Sequence, residues 1–217
     1  KNIKVISFGK TKGSDIRLIS IKKKDDFKFV LVRAVNKKYK LKIKNINIYN
    51  ILASFAVLIE LKTTLKDKLS IFQKLQPSVG RGKIHKIKRY KKNFHLIDES
   101  YNANPLSMRN AIENFIEIKK GKSKKYLLLG DMLELGKNSE KYHCDLSRLI
   151  NRSDIDKVFI KGEKSLFTYK YLRKSKRGNI LQCNQDIDAT FKNIITNNDY
   201  LMIKGSNSTG LNIISKE

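Results

Sequence analysis

Residues 98 to 108, "DESYNANPLSM", bring together two carboxylates, a serine hydroxyl and two side-chain amides inside one short run of a chain otherwise dominated by lysine. Carboxylates accept hydrogen bonds and amides both donate and accept, so the run holds more polar groups than a plain turn needs. The apolar stretch "FHLI" just before it predicts a strand that delivers the run at its C-terminal end. After it, Asn104 can N-cap a helix, Pro105 suits the first turn, and Met108, Ile112, Phe115 and Ile116 fall at helical spacing for a buried face. Gly121, just after Lys119-Lys120, suits the stop. Capping accounts for Asn104 and Pro105. It leaves Asp98, Glu99, Ser100 and Asn102 without a local structural reason.

The flanking pattern shows what must hold this run in place. From about residue 94, strand-like segments ("FHLI", "KYLLLG", "KVFIKG", "NILQC", "YLMIKG") alternate with helical periods near 105–119, 139–151, 164–174 and 187–197. Alternation of this kind implies right-handed crossovers and a mostly parallel sheet covered on both faces. Several strands end in glycine, at Gly130, Gly162 and Gly205, and ligands of open α/β sheets sit outside the carboxyl ends of the strands. The first part reads differently. Residues 3–8, 15–21, 27–34 and 38–43 alternate as short strands of an antiparallel meander. Ile48, Ile51, Leu52, Phe55 and Ile59 then mark a helix that Asn45 or Asn47 can cap, and a second helix is expected over 65–75. "QPSVGRGK" breaks both periods and sets the expected boundary, with one domain over 1–77 and another over 78–217. The sequence "FGKTKG" holds Gly9-Lys10-Thr11 but not the earlier glycine of a phosphate loop, and reads as a turn between strands.

Composition narrows the function classes. The formal net charge is +27, with 47 Lys and Arg against 20 Asp and Glu. Basic pairs recur along the whole chain and Lys greatly outnumbers Arg, so nucleic acid is not the expected partner; abundant Lys, Asn and Ile fit an AT-rich genome. Cys144 and Cys183 lie far apart with no C-x-x-C spacing, which argues against a zinc site or a disulfide scaffold and fits a reducing cytoplasm. No metal site is expected within the chain. No apolar run approaches the ~20 residues of a spanning helix, so membrane insertion is not expected. The chain begins at Lys1 and enters a strand-like "IKVISF" at once, from which a preceding part is expected.

The run "IDESYNANPLSMRNAIENF" resembles the "DDSYNANPxSM" signature of the Mur ligase family, in the form carried by its dipeptide-adding branch. Further similarities follow in order: Gly80-Arg81, "LGDMLELG" at 129–136 followed by His143, and "IKGSNSTGLN" at 203–212. Before them, "ISFG" and "NILASFAVL" are similar to the family's "FG" strand and "NALAA" helix. The resemblance covers essentially the whole chain and implies the end of the central ATPase domain, built of antiparallel strands plus helices, followed by a Rossmann-like C-terminal domain. It implies an ATP-dependent amide ligase that adds D-Ala-D-Ala to UDP-MurNAc-tripeptide through an acyl phosphate, acting in the cytoplasm as a monomer. The phosphate loop and the Mg2+ ligands are expected upstream of Lys1, so the chain alone is not expected to ligate.

The resemblance also implies roles. Arg81 would reach the ATP phosphates from the hinge. Asn47 and Asn50 would contact the adenine end, and Asp98 and Glu99 the ribose, Glu99 standing where the family usually has Asp. Asn102, Asn104, Glu134, His143, Lys204 and Ser206 would face the incoming dipeptide. Ile46 stands where the family has histidine, and Asn207 where it has arginine. Plainer alternatives stay open: a surface arginine at 81, helix caps at Asn50 and Asn104, a surface or core histidine at 143. The rival from another class is a non-catalytic basic binding module, for nucleic acid, on a decayed ligase domain.

Overall fold

The computed structural model describes residues 3–24, 27–44, 46–75, 80 and 82–211. The chain divides into two compact units, Lys1–Pro77 and Ser78–Glu217. Residues 76–79 of the expected boundary, with Asn45 and Arg81, lie outside the described residues.

In the first unit the strands are β1 (Phe8–Gly9), β2 (Ile16–Lys24), β3 (Phe27–Ala34) and β4 (Lys37–Ile43), followed by α1 (Ile48–Glu60) and α2 (Leu65–Lys74). Among the described residues they form one sheet in the order β1-β2-β3-β4. The alternation in the sequence sets its faces: Val30, Val32, Leu41 and Ile43 point inward against Ile51, Leu52 and Phe55 of α1 and Phe72 of α2. β2, β3 and β4 are the expected antiparallel meander, but β1 pairs with β2 in parallel and is only two residues long. Of the expected strand over 3–8 only Phe8 pairs, because residues 3–5 and 7 are exposed and, among the described residues, no strand lies beside them to make a ladder. Residues 10–13 form the turn between β1 and β2.

The second unit opens with a hairpin of β5 (Lys83–Arg89) and β6 (Lys92–Glu99) and continues α3 (Pro105–Ile116), β7 (Lys125–Gly130), α4 (Ser139–Asn151), β8 (Lys157–Lys161), α5 (Ser165–Lys170), β9 (Arg177–Ile180), α6 (Asn184–Ile194) and β10 (Tyr200–Lys204). The sheet order is β5-β6-β10-β7-β8-β9, parallel throughout except for β5. Side chains of successive residues go to opposite faces. Leu127, Leu129, Val158, Ile160 and Met202 pack under α3, α4 and α5, while Tyr126, Leu128, Phe159, Leu201 and Ile203 pack under α6. β10 lies between β6 and β7, which explains its nearly continuous apolar run, since both its faces are covered.

Four details depart from the sequence reading. β5 was not foreseen, because its lysine-rich "KIHKIKR" is half-exposed along an edge. α3 ends at Ile116 rather than near 119, where Glu117 caps it. α5 is shorter than 164–174, because Leu172 turns inward and Arg177 donates to the Lys170 and Leu172 carbonyls, closing the chain into β9. β9 and α6 lie a few residues earlier than expected, because Asp186 accepts from the amides of Gln182 and Cys183 and starts α6 there.

Candidate functional site

The carboxyl ends of β6, β10, β7 and β8 lie side by side, and the loops that leave them are residues 100–104, 205–210, 131–138 and 162–164. Strand order reverses across β10, since the chain steps from β6 over it to β7 and returns through α6. The crevice at such a reversal is where open α/β sheets hold ligands.

Two glycines let the central strands end close together. A Cβ built on Gly205 would stand 2.9 Å from the Gly130 Cα, and one on Gly130 would meet the Leu211 Cδ1 at 2.8 Å. Beside them Lys204 is 1% exposed, and its Nζ donates to the carbonyl of Glu99, 3.0 Å away, and to that of Asn102. The Glu99 carboxylate stands 4.0 Å from the same ammonium. Lys204 therefore binds the 99–102 loop from below.

The structure brings together at this edge Asp98, Glu99, Asn102, Asn104, Glu134, Lys204 and Ser206, but it gives them unlike tasks. Asp98 is buried at 3% exposure, and its Oδ1 accepts from the Ser100 backbone N–H at 2.9 Å and from the Ser100 hydroxyl at 2.5 Å. Glu99 is the more exposed of the acidic pair. Asn104 caps α3 through Ser107, whose N–H donates to its Oδ1 at 2.8 Å, while the Ser107 hydroxyl accepts from the Asn104 N–H at 3.0 Å. Asn102 is exposed. The Ser206 hydroxyl accepts from the Leu133 N–H at 3.2 Å, and its own N–H donates to the Asp131 carbonyl. Gly80 and Gly82, which flank Arg81 in sequence, join this edge: Gly80 accepts from the Tyr101 N–H and Gly82 donates to the Asp98 carbonyl.

His143 sits behind this edge, 1% exposed on α4. Its Nε2 accepts from the Met132 N–H at 3.1 Å, and its Nδ1 lies 2.8 Å from the Ser139 carbonyl, to which it donates in the tautomer that satisfies both bonds. Both ring nitrogens are spent on backbone, so His143 shapes the 132–134 loop. The next residue but one, Glu134, is exposed and held at φ +61°, the left-handed region that costs a residue with a Cβ energy and that collects at ligand sites.

One residue of the edge was missed by reading spacing alone. Asp131, 8% exposed, accepts from the Ser165 N–H at 2.7 Å, the Ser165 hydroxyl at 2.6 Å and the Lys164 N–H at 3.2 Å. It ties the loop after β7 to the start of α5, and its signs in sequence were its place after a strand-ending glycine and inside the run "LGDMLELG". Asn47 and Asn50 belong to the first unit. Asn47 caps α1 by accepting from the Tyr49 N–H at 2.9 Å, and Asn50 is exposed on the first turn. A depression of about 630 Å³, lined by Lys124, Tyr126, Phe159 and Arg177, lies away from this edge, near the amino ends of β7 and β8.

Residues 81–207, more than half of the chain, match the family described as "Mur ligase, glutamate ligase domain". The chain belongs to the Mur ligase family. Among curated proteins it is similar to the UDP-N-acetylmuramoyl-tripeptide--D-alanyl-D-alanine ligase of Bacillus subtilis, 32% identical over 126 residues, covering 56% of this chain and 27% of that one. The ligase of the same name from Buchnera aphidicola subsp. Acyrthosiphon pisum is 33% identical over 165 residues, 75% of this chain and 34% of that one. Among solved structures, the MurF ligase of Thermotoga maritima in complex with ADP superposes with a TM-score of 0.74 at 20% identity, covering 96% of this chain and 47% of that one. A MurF of Acinetobacter baumannii gives 0.77 at 21% identity, covering 97% and 46%. These structures speak to the fold, an α/β architecture with a Rossmann-like C-terminal sheet. The Mur ligase chain in hand thus spans about half the length of the solved chains and about a third or less of these curated relatives.

Proposed function

We propose that this chain contributes to an ATP-dependent ligase that joins D-Ala-D-Ala to UDP-MurNAc-tripeptide in peptidoglycan precursor synthesis. The observation that carries the reading is the meeting of three motif-bearing loops, "ESYNAN", "DMLEL" and "GSNST", at one carboxyl edge of the parallel sheet. Residues 1–77 correspond in this reading to the end of the central ATPase domain, and 78–217 to the C-terminal domain.

In the reaction the tripeptide carboxylate takes the γ-phosphoryl group of ATP, releasing ADP; the dipeptide amine then attacks the acyl phosphate, phosphate leaves, and the amine's proton goes to solvent or a base. The chain's own residues bind and orient. Arg81 supplies a cation for phosphoryl oxygens, and Asn47 and Asn50 receive the adenine end. Glu99, the more exposed acid, accepts from ribose hydroxyls, with Asp98 holding Ser100 and the loop beneath it. Asn102, Glu134 and Ser206 meet the dipeptide, with Asn104, His143 and Lys204 positioning the loops that carry them. Mg2+ accompanies ATP in this family, and among the described residues no three of His, Cys, Asp or Glu gather to hold a cation. Free thiols at Cys144 and Cys183 support a cytoplasmic setting, and a monomer suffices for this scheme.

The test is phosphate release with all three substrates in the longest native form of the protein. Arg81→Ala is expected to lower the rate strongly with the fold intact. An unchanged rate would remove Arg81 from the machinery, and no D-Ala-D-Ala-dependent release in the parent would sink the reading.

A further inference from the structure

We propose that the outer face of the β2-β3-β4 sheet binds single-stranded nucleic acid. Along the sequence the lysines look scattered, but strand alternation sorts them. Cross-strand register places Lys22, Phe29 and Lys42 in one row, pairs Lys24 with Phe27 in the next, and sets Lys40 beside Leu31 on the other side. Lys22, Lys24, Lys40 and Lys42 are exposed, Phe29 is 42% exposed, and the opposite face carries the buried Val30, Val32 and Leu41. The result is a column of aromatic rings flanked on both sides by columns of ammonium groups, with successive ammoniums of one strand about 7 Å apart. No Asp or Glu occurs in β2, β3 or β4.

Charge complementarity selects a polyanion, and the rings select one with flat groups to stack. Sheets that bind single strands use this combination: a basic face that tracks the phosphates and exposed aromatics on which bases stack whatever their sequence. The Lys42 Nζ stands 3.9 Å from the Phe27 ring centroid and 6.0 Å from that of Phe29, so the ring faces are already engaged by a cation. A base that takes the ammonium's place over Phe27 frees Lys42 for the neighbouring phosphate, which exchanges one contact for two. This surface lies wholly in the first unit and does not depend on the ligase reading.

The experiment uses fluorescence anisotropy of the 217-residue chain with a labelled oligo-dT, across a salt series, beside flotation with phosphatidylglycerol vesicles. Binding is expected, with log affinity falling linearly in log salt. Lys40→Gln with Lys42→Gln should flatten that slope by about 1.4, near 0.7 for each of the two phosphate contacts. Phe27→Ala with Phe29→Ala should weaken binding by about tenfold or more at unchanged slope. The control pair Lys119→Gln with Lys122→Gln removes equal charge from the second unit and should change little, and circular dichroism checks that each variant folds. Absence of binding, equal weakening by the control pair, indifference to the phenylalanine changes in a folded protein, or preference for the vesicles would each overturn the proposal.

Discussion

Gly205, just after β10, packs against Gly130 at the end of β7 so closely that a Cβ on the first would lie 2.9 Å from the Cα of the second. The obstacle is backbone on a central strand and cannot swing away. Thr209 and Leu211 close over the same two glycines, so the pair also sets how the loop after β10 folds back. Gly205→Ala is expected to lower stability by about 1–3 kcal/mol through overpacking. A urea midpoint that does not move would show that the strands can part there at little cost.

Asp131 receives three donors from the start of α5 and is nearly buried. Asp131→Asn keeps the volume but turns one oxygen into a donor facing other donors, at an expected cost of about 1–3 kcal/mol. The same change should speed amide exchange at Lys164 and Ser165. Protection there equal to the parent would refute the latch.

His143→Ala removes a buried ring that holds the Met132 amide and the Ser139 carbonyl. We expect a loss of about 2–4 kcal/mol, the cavity and the orphaned amide together. Lower dipeptide affinity with unchanged stability would mean that the imidazole touches ligand directly.

Glu134 makes the opposite case, since it is exposed at φ +61°. Glycine relieves that strain and adds freedom to the unfolded chain, so Glu134→Gly should stay within about 1 kcal/mol of the parent. Weaker binding of D-Ala-D-Ala, read by calorimetry in the complete enzyme, is expected beside this. Unchanged affinity would leave the strained position without a role in the site.

Asp186 accepts from the Gln182 amide, then from Cys183, and these bonds hold its carboxyl below the ordinary 3.8. A depressed folded pKa means that the contribution is fully present above about pH 4 and is lost as pH falls through the folded value. Carboxyl NMR should place its midpoint under 3.8, with the first turn of α6 loosening below it. A midpoint at or above 3.8 would show that the cap does not persist in solution.

By itself the sequence determined the alternating elements of the second unit, the meander of the first, and the run at 98–104, because period, capping residues and strand-ending glycines are local signals. It also marked Asn104 and the glycines 130 and 205. Only the tertiary structure decided that β10 lies between β6 and β7, that β1 runs parallel to β2, and that β5 closes the edge, since strand pairing depends on partners far along the chain. It likewise separated Lys204 and His143, which are buried and bonded to backbone, from the half-buried Glu99 and the exposed Asn102 and Glu134. Residue type and spacing cannot separate them, because whether a polar side chain holds a loop or meets a ligand depends on which distant groups fold against it.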